Sequence, residues 1–306
     1  MPNRNLLADT ASLHNARPDA LAAAPTRRAA LKTAVGVGWA ASVLPTFAQT
    51  AIKTPATGLD AGEVTIDVQG FKMPAYSAKP AGKTGLPTVV VISEIFGVHE
   101  YIADVARRFA KLGYLAIAPE FFVRQGDPSS YGEIAKLQAE IISKVPDAQV
   151  MGDIDATLDW AEKNGGDGKR IGVTGFCWGG REVWLYCAHS PRVKAGVAWY
   201  GRLVGEATAL QPRHPVDLAE QLKAPVLALY GGQDTGIPLT TVDRMQKALS
   251  EAAAKRNEQA WNSQFKVYPD APHAFHADYR PSYRKEAAED GWSRCLTWFK
   301  QNGVAP

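Results

Sequence analysis

Short apolar runs alternate with amphipathic segments along the chain from residue 60 onward. The short runs are typical of buried strands, and they lie at 88–92, 114–118, 170–174, 195–200, 225–230 and 264–268. Segments with apolar residues at helical spacing predict helices at 102–112, 131–144, 147–164, 180–188, 239–254 and 284–302. Two further strands, 64–68 and 71–76, predict an antiparallel hairpin at one sheet edge. This alternation predicts an α/β fold with a mostly parallel central sheet and helices on both faces.

The first 48 residues carry a different pattern from the rest of the chain. The pair Arg27-Arg28 precedes a mildly apolar stretch at 33–44, and small residues up to Ala48 offer a cleavage site. This combination is typical of a twin-arginine export signal; a short membrane anchor or a disordered tail is the alternative. We therefore expect residues 1–48 to be a cleaved leader that engages the twin-arginine export machinery, and residues 49–306 to form one domain. The mature protein is then periplasmic or secreted, without stable membrane association.

Charge and composition narrow the class of partner. The formal net charge of +3 comes entirely from the first 48 residues, which hold five basic and two acidic side chains, and the remainder is neutral. The chain contains no basic patch and no basic run interleaved with aromatic residues, so nucleic acid is not an expected partner. A content of 46% hydrophobic residues with eight tryptophans is enough for a sizeable core.

The segment around Cys177 says most about chemistry. The strand 170–174 leads into Gly175-Phe-Cys-Trp-Gly179, and a helix follows directly. A strand that turns sharply into a helix through Gly-x-nucleophile-x-Gly is the nucleophile elbow of α/β-hydrolases, here with sulfur instead of oxygen. The alternative is a buried structural cysteine. The two other cysteines, Cys187 and Cys295, are either a disulfide pair or, more simply, buried apolar side chains.

A nucleophile of this kind needs a base and a group that orients the base. Asp234 follows the strand 225–230, and His273 follows the strand 264–268, in the chain order that this fold requires. Asp234 by itself could equally be a turn residue or a helix cap. His276 forms His-x-x-His with His273, which is weak evidence for a metal without a third ligand. We expect neither a metal nor a cofactor, and we expect His276 to line a pocket or the surface.

Five motifs together resemble the dienelactone hydrolases (carboxymethylenebutenolidases) over residues 60–302. The motifs are Ser93-Glu-Ile-Phe-Gly97, Ala118-Pro-Glu-Phe-Phe122, Gly175-Phe-Cys-Trp-Gly-Gly180, Gly232-Gln-Asp234 and His273-Ala-Phe275. The resemblance implies the α/β-hydrolase fold and a triad of Cys177, His273 and Asp234. It also implies that Glu94 contacts the thiol and controls when the thiol ionises. From the residues alone, Glu94 is either a perturbed carboxylate beside the nucleophile or a structural acid.

The expected chemistry is attack of Cys177 on an ester or lactone carbonyl. The backbone N–H groups of Trp178 and Ile95 would hold the oxyanion, and a thioester acyl-enzyme would then be hydrolysed. The resemblance also implies substrate carboxylate binding by two arginines. Arg124 matches the first, whereas the second position holds Ala277, with Arg280 and Arg284 nearby. Arg124 could instead pair with Glu94 or Glu120.

Three functions are consistent with these residues. The leading hypothesis is a cysteine-dependent hydrolase of lactones or small activated esters. A broader carboxylesterase or thioesterase belongs to the same class, and a non-catalytic binding protein of the same fold belongs to another. One arginine just after the elbow, Arg181, is expected to be a helix-surface or salt-bridge residue rather than a pocket residue.

Overall fold

The computed structural model describes residues 51–306, so the predicted leader lies outside the described residues. The first two strands, β1 (Leu59–Val68) and β2 (Phe71–Pro80), form the predicted antiparallel hairpin and are longer than expected. The turn between them uses Gln69 and Gly70, both with positive φ. Glycine is suited to this conformation because it has no Cβ.

The central sheet has eight strands in the order β1-β2-β4-β3-β5-β6-β7-β8. The hairpin joins the sheet through an antiparallel contact between β2 and β4, and every later neighbour is parallel. The six further strands are β3 (Leu86–Ile92), β4 (Leu115–Pro119), β5 (Gly166–Phe176), β6 (Ala195–Trp199), β7 (Val226–Gly231) and β8 (Gln264–Tyr268). The predicted mostly parallel α/β sheet is therefore confirmed.

Helices connect the parallel strands and cover the sheet. They are α1 (Glu100–Lys111), α2 (Ile134–Glu140), α3 (Asp147–Lys163), α4 (Trp178–His189), α5 (Leu239–Ala254), α6 (Glu258–Asn262) and α7 (Lys285–Gln301). Strands β3, β4, β6 and β7 are buried along almost their whole length. Strands that are covered on both faces lack polar alternation, which explains the continuous apolar runs in the sequence.

Two helices on opposite faces of the sheet carry the non-elbow cysteines. Helix α4 places Cys187 against Gly196 of β6, and helix α7 carries Cys295 and packs Phe299 against Gly172 of β5. The strand register puts positions 172 and 196 on opposite faces. Both thiols are free and buried, and burial raises the pKa of each. The sheet separates them, so they are apolar core residues and not a disulfide pair.

Three connections differ from the sequence-based expectations. The helix expected at 131–144 is shorter, because α2 ends at Glu140 and a separate 3-10 turn follows at Ile142–Lys144. Only Leu137 of α2 is buried, so little packing supports a longer helix there. The 3-10 helix Pro215–Gln221 and the short helix α6 were not anticipated, since neither has a repeating apolar pattern.

Candidate active site

The carboxyl ends of the parallel strands gather the predicted residues at one edge of the sheet. Glu94 follows β3, Cys177 follows β5, Asp234 follows β7 and His273 follows β8. Ligands of open α/β sheets bind at this edge, because the loops there are free to carry side chains. The fold therefore brings these four residues to one edge. The first of them, Glu94, and the last, His273, are 179 positions apart in the sequence.

Cys177 lies on a strained turn between β5 and α4. Its φ of 55° and ψ of −112° are unusual for a residue with a Cβ, and it is the N-cap of α4. A Cβ added to Gly175 would lie 2.3 Å from the carbonyl oxygen of Gly179, and one on Gly179 would lie 2.4 Å from that of Ile92. Both positions therefore require glycine. The partly exposed Cys177 therefore lies at the N-terminus of α4.

Asp234 and His273 form a short hydrogen bond. His273 Nδ1 lies 2.6 Å from Asp234 Oδ2, and the Asp234 side chain is only 1% exposed. The other oxygen, Asp234 Oδ1, accepts the N–H groups of Gly236 and Ile237 at 2.9 and 3.1 Å. Both carboxylate oxygens thus have fixed partners, and the second oxygen points only at the imidazole.

His273 also interacts with Cys177. Burial lowers the pKa of His273, but its interactions with Asp234 and Cys177 outweigh this effect and raise the pKa to about 10. A base with a raised pKa holds a proton firmly. The arrangement of thiol, imidazole and carboxylate can therefore move the thiol proton onto the ring.

Backbone strain recurs beside the imidazole. Tyr200, directly after β6, has a φ of 39°, and Ala274, directly after His273, has a φ of 59°. The ring of Tyr200 packs edge-on against the His273 ring at 5.2 Å between centroids. Tyr200 was not among the residues predicted from the sequence, although its place at the end of a parallel strand could have indicated it.

The two predicted oxyanion donors lie on adjacent turns. Trp178 is the first residue of α4, where a backbone N–H has no acceptor within the helix. Ile95 lies in the turn closed by the hydrogen bond from Gly97 N to Glu94 O at 3.3 Å. The close approach of Gly179 to the end of β3 brings these two turns together.

Glu94 is fully buried and bonded to side chains that the sequence did not connect with it. His99 Nε2 lies 3.1 Å from Glu94 Oε2, and the hydroxyl of Tyr279 lies 3.4 Å from Glu94 Oε1. Only 1% of the Glu94 side chain is exposed, and His99 is the N-cap of α1. The structure shows Glu94 engaged with these two partners, so its expected contact with the thiol stays a prediction.

His276 is a buried core residue, so the expectation that it lines a pocket or the surface was wrong. Its Nδ1 lies 2.6 Å from the hydroxyl of Tyr101, and its ring stacks on Phe176. Burial lowers the pKa of His276 well below its ordinary value. Aromatic side chains surround it and leave it only 3% exposed, which the His-x-x-His spacing could not reveal. The described part of the chain contains no cluster of His, Cys, Asp or Glu suited to a metal ion.

Arg124 is held by a carboxylate. Its two terminal nitrogens lie 2.7 and 2.9 Å from the two oxygens of Asp153, and its guanidinium stacks on Phe71 at 4.0 Å. The side chain is 23% exposed. Burial raises the pKa of Asp153 despite the charge and hydrogen bonds of Arg124. The ion pair supports a loop-shaping role, with Asp153 as the partner.

The guanidinium of Arg280 lies 5.7 Å from the ring of Phe96, in the same motif as Glu94. In contrast, Arg284 Nη1 donates to the carbonyl oxygens of Pro281 and Tyr283 at an exposed position. Of the two arginines near the missing second position, Arg280 is thus the one beside the site.

Arg181 is a buried salt-bridge residue, which is one of the two roles expected for it. Its Nη1 lies 2.7 Å from both Asp147 Oδ1 and Glu182 Oε1, and its Nη2 also bonds the carbonyl oxygen of Arg213. Burial raises the pKa of Glu182, although Arg181 opposes this. This cluster fixes the segment before the 3-10 helix Pro215–Gln221 against α4.

A cavity of about 160 Å³ opens beside this salt bridge, away from Cys177. Its lining combines apolar side chains, among them Met151, Leu185 and Leu218, with Asp147, His189 and Arg213. Its lining includes none of the predicted residues Glu94, Cys177, Asp234 and His273.

The sheet with its nucleophile elbow at the carboxyl edge defines the protein as an α/β-hydrolase. The chain belongs to the dienelactone hydrolase family, whose model matches residues 73–303. It is accordingly a carboxymethylenebutenolidase-like hydrolase.

Close relatives extend over most of the chain. A protein of Methylorubrum extorquens AM1 named "Putative carboxymethylenebutenolidase" is 57% identical over 92% of this chain and 94% of its own length. An Escherichia coli K12 protein of the same name is 52% identical over 87% of this chain and 96% of its own. A Klebsiella pneumoniae crystal structure named "Putative Dienelactone Hydrolase" is 55% identical, with a TM-score of 0.76 over 79% of this chain and 99% of its own.

Proposed function

We propose that this protein hydrolyses lactones or small activated esters through a triad of Cys177, His273 and Asp234. The observation that carries the proposal is the 2.6 Å contact between Asp234 and His273, together with the strained elbow that holds Cys177 at the same carboxyl edge of the sheet. A structural cysteine would need neither the strained backbone nor the buried carboxylate behind the imidazole.

The first half of the reaction forms an acyl-enzyme. The proton of Cys177 moves to His273, and the sulfur attacks the carbonyl carbon of the substrate. The charge of Asp234 stabilises the imidazolium that results. The carbon–oxygen bond to the leaving group then breaks, and the departing oxygen takes a proton from His273, which leaves a thioester on Cys177.

The second half releases the acid. A water molecule gives its proton to His273 and attacks the thioester carbonyl, and the sulfur leaves and regains the proton. The N–H groups of Trp178 and Ile95 are the proposed donors to the oxyanion in both halves, and losing one such donor typically costs about 3 kcal/mol. A thiolate leaves easily, so we expect unactivated amides to be poor substrates.

Glu94 is proposed to influence the thiol through its charge. The carboxylate lies in a buried setting, where water screens charges poorly. The hydroxyl of Tyr279 lies 3.4 Å from Glu94 Oε1, and the ring of Tyr200 packs against His273 at 5.2 Å between centroids. A negative charge there disfavours a second one on sulfur until substrate arrives.

The residues expected to bind a substrate carboxylate support a broad range of ester substrates and not a single acidic lactone. Arg124 was expected to bind a substrate carboxylate, but Asp153 already occupies both of its terminal nitrogens. The second arginine position holds Ala277, which is buried. The broader carboxylesterase function is therefore the second candidate, and Arg280 is a positive group beside Phe96 in the same motif as Glu94.

The test is turnover of p-nitrophenyl acetate with and without prior iodoacetamide, followed by a panel of dienelactone, simple lactones and acyl esters. Turnover that iodoacetamide abolishes supports a thiol hydrolase, and the panel ranks the substrate classes. A protein that turns over none of these compounds would instead be a binding protein of the same fold.

We also propose export of the folded protein through the twin-arginine route. The support is the sequence of residues 1–48, with Arg27-Arg28 ahead of an apolar stretch and a small-residue site. Within residues 51–306, none of the helices has the length and apolar content needed to cross a membrane.

A further inference from the structure

The irregular segment 51–57, here called the N-terminal strap, is tied to the folded domain by buried charges. Thr54 donates its N–H to Asp104 Oδ1 at 2.5 Å and its hydroxyl to Asp104 Oδ2 at 3.2 Å. Arg107 Nε donates to the carbonyl oxygen of Thr54 at 2.9 Å, and Lys111 Nζ donates to that of Thr57. Three successive turns of α1 thus hold the strap.

The same face of α1 also holds the loop that follows the catalytic histidine, residues 273–284, here called the active-site loop. Arg108 Nη2 donates to Asp278 Oδ2 at 2.5 Å, and Arg108 Nε donates to Asp104 Oδ2 at 2.7 Å. Asp278 additionally accepts the backbone N–H of Ile52. The side chains of Asp104 and Asp278 are 2% and 1% exposed, respectively.

The residues next to Asp278 face the site. Tyr279 reaches Glu94 at 3.4 Å, and Arg280 lies on Phe96. The chain thus links the strap to the mouth of the site in two steps, through Asp278 and then through its immediate neighbours. Burying a charge is costly unless it is paired. The buried carboxylates of Asp104 and Asp278 are therefore not expected for a segment that is only a surface tail.

We propose that the N-terminal strap, through Ile52, Arg108 and Asp278, is a positioning element of the active site that sets the place of Tyr279 and Arg280. The inference rests on the proposed ester hydrolysis for its kinetic readout. His273 has its own anchor in Asp234, at 2.6 Å, so the strap governs the mouth of the site and not the base. Its loss should therefore raise KM more than it lowers kcat.

The sharpest perturbation is Ile52→Pro, because proline removes the N–H that Asp278 accepts. The side chain of Ile52 is 46% exposed, so Ile52→Ala is the matched control that keeps the N–H. Loss of a hydrogen bond to a charged group can change the equilibrium between the closed and open states of a loop about ten- to a hundredfold. We expect Ile52→Pro to raise KM for p-nitrophenyl butyrate about tenfold with kcat within about twofold, and Ile52→Ala to match the wild type.

A second pair of variants protects the test against misfolding. Asp278→Ala should reproduce the KM increase, and Asp278→Asn should restore KM towards the wild-type value, because the amide oxygen can still accept the N–H of Ile52. Hydrogen exchange of residues 276–284, measured alongside, should accelerate in Ile52→Pro and Asp278→Ala only. Variants that merely lose folded protein would lower apparent kcat and leave KM unchanged.

The outcomes separate the two proposals. Wild-type KM and wild-type exchange in Ile52→Pro would overturn the positioning role, and so would equal effects of Ile52→Pro and Ile52→Ala. If the wild-type protein hydrolyses no ester, the proposed function fails, while the exchange of residues 276–284 still decides whether the strap holds the loop.

Discussion

Replacing Asp234 by asparagine tests the central contact of the proposed triad. Asp234 Oδ1 is fixed by the N–H groups of Gly236 and Ile237, and Oδ2 faces His273 Nδ1. In Asp234→Asn the amide oxygen should keep the two backbone donors, because the amide nitrogen cannot accept them. The NH₂ group then faces Nδ1 and forces that nitrogen to be the acceptor.

The consequence is the wrong tautomer of His273. With Nδ1 unprotonated, the proton of the neutral ring sits on Nε2, which can no longer take the thiol proton. The same kind of change in a serine triad costs about 10⁴ in kcat. We expect kcat/KM to fall about 10³- to 10⁴-fold here, which corresponds to about 4–5.5 kcal/mol of transition-state stabilisation.

The substitution should also change the behaviour of the protein with pH. Hydrogen bonding to Asp234 is one of the effects that raise the pKa of His273 to about 10, so its loss lowers that pKa. A raised native pKa stabilises the fold fully below the ordinary value near 6.5, and this contribution disappears as the pH rises towards 10. The wild type should therefore lose more thermal stability between pH 6 and pH 10 than Asp234→Asn does.

The assay is kcat/KM for p-nitrophenyl acetate, with the melting temperature recorded at both pH values. Asp270→Asn is the matched control, since Asp270 is an exposed acid on the same loop as His273. Retention of more than a tenth of wild-type kcat/KM in Asp234→Asn would refute the tautomer argument, provided that the control is unaffected.

Three further predictions concern the nucleophile, the substrate and the fold, and one concerns the leader. Cys177→Ala should abolish ester turnover with an unchanged melting temperature, because the thiol contributes little packing, and a tenth of the activity remaining would contradict the elbow assignment. Arg124→Met should reduce kcat/KM for an acidic lactone and for its neutral analogue equally if Asp153 is the partner of the guanidinium, whereas a selective loss of about ten- to a hundredfold on the acidic compound would show carboxylate binding. Arg181→Met should lower the free energy of unfolding by about 3–5 kcal/mol in denaturant titrations, because it strands two buried carboxylates, and a change below 1 kcal/mol would mean that the salt bridge is dispensable. Arg27-Arg28→Lys-Lys should leave folded, active protein in the cytoplasm in a fractionation experiment, and unchanged export would point to another route.

Local sequence patterns were sufficient for the eight strands, for most of the helices and for the elbow around Cys177. The apolar run at β3 and the helix α5 follow directly from burial on both faces of a sheet and from helical spacing. The elbow is equally local, because the clashes that require Gly175 and Gly179 arise within a few residues of Cys177.

The order of the proposed triad along the chain could also be read from the sequence, since each member follows a strand and parallel strands end at one edge of the sheet. The sequence by itself therefore determined the α/β class, the family resemblance and the candidates Cys177, Asp234 and His273. These features depend on neighbours in sequence or on the rules of parallel sheets, and neither needs the packing of distant side chains.

Only the tertiary structure decided the partners of the charged residues. Arg124 meets Asp153 of α3, Glu94 meets His99 and Tyr279, and the strap reaches the active-site loop across α1. These pairs lie on different elements whose spacing depends on the packing of the whole core. The pattern of hydrophobic and polar residues along the sequence therefore does not predict them. Which groups are left free to meet a substrate is therefore a property of the assembled fold.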